Sequence, residues 1–104
     1  MTARLVAVAR LEDIPRLEGR PVTIGGRRVA IFRTPGGPRA LVDACPHRGG
    51  PLSDGLVGDD CVVCPLHGRR VSLSTGEVDG RPDERVETVP VTERDGWLYV
   101  EVGW

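Results

Sequence analysis

Apolar and polar positions alternate with a period of two along much of the chain, the mark of strands that bury one face. "LVAVAR", from Leu5, reads as a first strand, and "LEDIPRLEGRP" as a connecting segment broken by Pro15, Gly19 and Pro21. "VTI" and "RVAIFR" flank Gly25-Gly26, a pair that favours a tight hairpin, and "PRALVDA" follows a turn at Pro35-Gly36-Gly37. "LVG" and "CVVC" are short strand candidates around Gly58-Asp59-Asp60, and "VSLSTGEV" is a further hairpin. "VETVPV" and "WLYVEV" close the chain as alternating strands around the Asp95-Gly96 turn, while "PDERVE", Pro82 to Glu87, reads as a solvated loop running into a strand start. About nine or ten short, closely spaced strands predict an all-β sandwich or small barrel.

Composition supports that reading. Fifteen valines against four aromatic residues, with Gly and Pro above a fifth of the chain, suit short strands joined by many turns. At 104 residues the expectation is one domain, spanning 1–104, around a modest core. A net charge of -1 supplies no field of the kind nucleic acid or an anionic membrane surface would need. The longest wholly apolar run, "LVAVA", is far short of a membrane span and carries no signal-peptide flanks, so a soluble, cytoplasmic protein is expected. All basic side chains are arginine, and Lys, Asn and Gln are absent; this bias suits a GC-rich genome and carries no functional weight.

Three cysteines, an odd number, argue against a disulfide framework and for metal or redox use. Two stiff loops hold the candidates. The first, "CPHRGGPLSDG", offers Cys45 and His47, and the second, "CPLHG", offers Cys64 and His67, with sixteen residues between His47 and Cys64. Proline after each cysteine fixes φ and removes a competing N–H, and the nearby glycines let backbone amides approach a buried anion. A mononuclear zinc site takes the same Cys2His2 set, but zinc fingers usually pair like with like, whereas here each loop contributes one of each. Mixed pairing fits a dinuclear [2Fe-2S] cluster better, with two cysteines on one iron and two histidines on the other. Cys61 falls outside this set. It lies on the opposite strand face from Cys64 and is expected to be a small buried hydrophobe rather than half of a redox pair.

"CPH" and "CPLH" at this interval resemble the ligand signature of the Rieske family. The resemblance implies a Rieske-type antiparallel β fold with a cluster-binding subdomain at about 43–76, in which Cys45 and Cys64 hold one iron and His47 and His67 the other. The high-potential respiratory branch has an extra cysteine in each loop, forming a disulfide, and Ser and Tyr donors after the second histidine. Those positions here are Gly50 and Leu66, and Arg69 and Val71. Fewer donors to the sulfurs leave the reduced state less favoured, which implies a potential toward the low end of the family's range, roughly -150 mV.

"VAIFRT", "CPHRGGPLSDGLVG", "CPLHGRRVSLSTGEV" and "VETVPVTERDGWLYVEV" are similar, in order and spacing, to the small subunits of assimilatory NAD(P)H nitrite reductases, relatives of the ferredoxins of aromatic ring-hydroxylating dioxygenases. Many relatives carry aromatic residues after CPLHG where this chain has "RRVSL". The resemblance implies a large partner subunit carrying FAD, siroheme and a [4Fe-4S] cluster, which reduces nitrite to ammonia. The alternatives are a ferredoxin serving an oxygenase and its reductase, and a non-redox zinc-binding module. With both histidines assigned as ligands, no catalytic set remains, so the isolated chain is expected to carry one electron and to catalyse nothing. Arg48, Arg69 and Arg70 flank the ligands and form a candidate basic collar for docking an acidic partner surface.

Overall fold

The computed structural model describes residues 3–44, 50–66 and 68–104. The all-β expectation holds: eleven strands among these residues form three antiparallel sheets. The first contains β1 (Arg4–Arg10), β11 (Trp97–Val102) and β10 (Val91–Arg94), with β11 in the middle. The second runs β2 (Gly19–Ile24), β3 (Arg27–Thr34), β4 (Gly37–Val42). The third runs β5 (Leu56–Val57), β6 (Cys61–Val63), β7 (Arg70–Ser72), β8 (Glu77–Val78), β9 (Arg81–Arg85).

The run "RVAIFR" explains why the second sheet lies in the middle. Val29, Ala30, Ile31 and Phe32 are all fully buried, and successive side chains of a strand point to opposite faces. Val29 and Ile31 join Ile14, Ile24, Val89, Leu98, Val100 and Val102 in one core. Ala30 and Phe32 enter a second core with Leu41, Leu52, Val62, Cys64, Val71 and Leu73. β4 divides in the same way, with Ala40 in the first core and Leu41 in the second. A strand covered on both faces has no place for a polar residue. The second core is the one that reaches the ligand loops.

Two of the expected turns have the required geometry. Gly25 and Gly26 have φ of 58° and 84°, and Asp95 and Gly96 have 53° and 83°, so both central positions of each hairpin are left-handed, as a type I′ turn demands.

The chain departs from expectation between Arg81 and Val91. Only the end of "VETVPV" pairs with β11: Val91 opens β10 opposite Val100, and Pro90 O accepts from the Glu101 N–H at 2.9 Å. Residues 86–89 instead run beside β4, where Leu41 bridges Thr88, the Val42 N–H donates to Glu87 O at 2.9 Å and the Val89 N–H donates to Ala40 O at 2.9 Å. Val86 and Val89, three apart, face opposite sides and enter the second and first cores respectively. "PDERVE" is not a loop at its start either. Pro82 to Arg85 belong to β9, an edge strand, where exposure is high and a proline forfeits no ladder bond.

Candidate metal centre

The second ligand loop is the connection between β6 and β7. Strand alternation points Val62 and then Cys64 into the core, leaving Cys61 and Val63 on the other face. Cys64 is 1% exposed. The turn beyond it is closed by its own backbone: the Cys64 N–H donates to Arg69 O at 2.7 Å, and the Gly68 N–H donates to Cys64 O at 2.9 Å. Pro65 and Leu66 therefore project outward, with Leu66 half exposed. His67 lies outside the described residues.

The first loop leaves β4 at Asp43 and returns through a single-turn 3-10 helix, Leu52–Asp54. Cys45, His47 and Arg48 also lie outside the described residues, but both ends of their loop are defined. The Asp43 carboxylate is fully buried and accepts four hydrogen bonds. The Ser53 N–H donates to Oδ1 at 2.8 Å, and the Ser53 hydroxyl donates to Oδ2 at 2.8 Å. Arg28 of β3 donates to Oδ2 from Nη2 at 3.0 Å and from Nε at 3.3 Å. Burial removes solvent competition from the carboxylate, so these charge-assisted bonds carry its whole solvation. Sequence reasoning missed this group. The available signal was a polar residue toward each end of a Gly- and Pro-rich loop, Asp43 just before it and Ser53 in its returning turn.

The two loops meet on their described arms. A Cβ added at buried Gly50 would stand 2.7 Å from Leu66 Cδ1, 2.9 Å from Leu66 Cγ and 3.6 Å from Cys64 Sγ. A Cβ added at Gly55 would stand 2.4 Å from Val63 O and 2.7 Å from Val62 Cγ2. Glycine at both positions lets the returning arm of the first loop lie directly on β6 and on the start of the second loop. Cys64 Sγ thus sits at the seam between the loops. Gly50 and Leu66, the positions matched above to the extra cysteines of the high-potential branch, face each other across that seam. The donors offered, thiolates and imidazoles, suit iron and iron–sulfur groups, and the seam brings together the two segments that carry them. The residues present fit a cluster held between the loops.

Two other expectations change. Arg69 is not an exposed collar residue: its side chain is 13% exposed, and Nη1 contacts both carboxylate oxygens of Glu84 in β9, at 2.5 and 2.7 Å. Its charge is already matched. Arg70 is exposed on β7. Cys61 is only half buried, because the inward positions of β6 and the residue after it are taken by Val62 and Cys64. No helix among the described residues is long and apolar enough to cross a membrane.

Comparison with known proteins agrees with this geometry. The model of the Rieske [2Fe-2S] domain family matches residues 4–91. The chain is 40% identical over 99 residues to the nitrite reductase [NAD(P)H] of Emericella nidulans, covering 85% of this chain but only 9% of that enzyme. It is 38% identical over 80 residues to the anthranilate 1,2-dioxygenase ferredoxin subunit of Burkholderia cepacia, covering 76% of this chain and 74% of that one. Among solved structures, a protein assigned as a nitrite reductase NADPH small subunit superposes with a TM-score of 0.86 at 31% identity, covering 93% of this chain and 97% of the other. The buried thiol at a seam between two Cys- and His-bearing loops, the all-β frame and these matches lead to one conclusion: the chain belongs to the Rieske [2Fe-2S] domain family, and a [2Fe-2S] cluster is its cofactor.

Proposed function

We propose that this chain is a one-electron carrier, the small subunit of an NAD(P)H-dependent nitrite reductase, with Cys45 and Cys64 ligating one iron and His47 and His67 the other. The observation that carries the reading is the seam: Gly50 packs on Leu66 and Cys64, so the described arm of the loop that bears Cys45 and His47 in sequence lies against the described arm of the loop that bears Cys64 and His67. When bound, the cluster supplies a reversible one-electron couple. The work of the chain is to hold the ligands. The closed turn of the second loop orients Cys64, Asp43 and Ser53 tie the ends of the first, and Leu66 covers Gly50 at the seam. In this reading the chain is one domain over 1–104, with residues 43–76 as its cluster-binding subdomain.

The nitrite reductase assignment draws support from the small-subunit structure that this chain covers almost end to end. It names a large subunit with FAD and siroheme as partner, and NAD(P)H as the electron source places the pair in the cytoplasm. The match to a dioxygenase ferredoxin subunit over 74% of that protein favours a second reading, electron delivery to a ring-hydroxylating oxygenase. The first test is iron and zinc analysis with an electron paramagnetic resonance spectrum of the dithionite-reduced protein. Two irons per chain and the low-average-g signal of a mixed Cys/His dinuclear centre are expected; zinc and no signal would end the electron-transfer reading. Association with purified siroheme flavoprotein, against association with an oxygenase component, then decides between the partners.

A further inference from the structure

We propose that Asp43 is a positioning residue that holds the two ends of the first ligand loop together before the cluster is bound, an inference that rests on the ligand assignment above. Asp43 stands two residues before Cys45, and Ser53 lies in the 3-10 turn by which the loop returns. A single buried carboxylate joins them: Oδ1 takes the Ser53 N–H and Oδ2 takes the Ser53 hydroxyl. Arg28 anchors the same carboxylate to the central sheet, and the Asp43 N–H returns a bond to Arg28 O at 3.0 Å. From Ser53 the chain turns at Gly55, which sits against Val62 and Val63, and the residue that follows β6 is Cys64. A continuous path therefore runs from the base of the first loop to the buried ligand of the second. None of its members before Cys64 is a proposed ligand. Ordering a free loop costs conformational entropy for each residue fixed, and a clamp across its base removes part of that cost from cluster binding.

The test uses the full chain with its cluster and three variants. Asp43→Asn keeps the side-chain shape but loses the charge and an acceptor oxygen. Ser53→Ala removes only the hydroxyl donor. Val100→Ala opens a cavity in the first core, away from the loops, and serves as the stability reference. Iron release to a ferrous chelator well below the melting temperature, the melting temperature itself and the reduced spectrum are measured for each. Removing supporting hydrogen bonds around metal ligands typically weakens retention by roughly ten-fold or more, and acceleration of that order is expected in Asp43→Asn. Ser53→Ala follows in the same direction, the double variant is no worse than Asp43→Asn alone, and Val100→Ala releases iron at the wild-type rate despite its lower melting temperature. Release that simply tracks melting temperature across the set, or a wild-type rate in Asp43→Asn, overturns the clamp. If Asp43→Asn does not fold, Ser53→Ala decides by the same criterion. Wild-type protein without iron refutes the ligand assignment instead, and the clamp is then judged by whether the residue 53 amide resists hydrogen exchange in wild type and exchanges faster in Asp43→Asn, which weakens its acceptor.

Discussion

Gly55→Ala tests the seam most directly. Gly55 has φ of -76° and ψ of 168°, which any residue adopts, so the substitution brings no backbone strain. Restricting the unfolded chain would by itself stabilise the protein by about 0.4–1 kcal/mol. Against this stands a steric cost. The new methyl would lie 2.4 Å from Val63 O, 2.7 Å from Val62 Cγ2 and 3.1 Å from Leu52 O, where ordinary contact begins at 3.4 Å. Two of the three atoms are backbone, so no rotamer change relieves them. Moving from 2.4 to 3.4 Å means parting the arm from β6 by about 1 Å at the point where Leu56 pairs with Val63. Overpacking of this kind costs about 1–3 kcal/mol, and the backbone contacts put this case at the upper end. A net loss of about 2 kcal/mol lowers the melting temperature of a domain this size by roughly 8–16 °C. Thermal unfolding followed by circular dichroism, with and without iron, reads the effect. Gly103→Ala is the control, since nothing lies within 4 Å of its added methyl and its backbone is ordinary; a change within about 0.5 kcal/mol is expected. A Gly55→Ala melting point indistinguishable from wild type would refute the claim that this arm rests on β6.

Other predictions address the loops and the pair beside them. The double substitution Gly50→Cys with Leu66→Cys should oxidise to a disulfide, because the added Cβ at position 50 is only 2.9 Å from the Cγ position of residue 66; closing a loop of this size stabilises by about 3 kcal/mol, read as a reductant-dependent shift in the urea midpoint, and two persistent free thiols would contradict the contact. Glu84→Gln should cost about 1–2 kcal/mol in denaturant unfolding, because it leaves the largely buried Arg69 guanidinium with a neutral partner, and an unchanged midpoint would mean the pair is idle. The reduction potential, measured by voltammetry, should lie near the low end of the Rieske range, roughly -150 mV, since neither Arg69 nor Val71 has a hydroxyl to donate and the Arg69 guanidinium is already engaged by Glu84. A value near +300 mV would remove that reasoning.

What the sequence by itself determined was local. Period-two runs such as "RVAIFR" and "WLYVEV", the Gly25-Gly26 and Asp95-Gly96 turns and the Cys45/His47 and Cys64/His67 pairs are legible because turn geometry, face alternation and ligand spacing are properties of neighbouring residues. Only the tertiary structure decided which segments lie side by side. It laid 86–89 against β4 rather than β11, made an edge strand of Arg81–Arg85, joined Asp43 to Ser53 and Arg28, and gave Arg69 a partner in Glu84, fifteen residues away, instead of solvent. The alternation of "VETVPV" is the same whichever strand it meets, and an arginine beside a ligand loop reads the same whether a carboxylate waits across the sheet or not. Those outcomes depend on which long-range pairing buries both cores and satisfies the buried charges, and that balance exists only once the chain is folded.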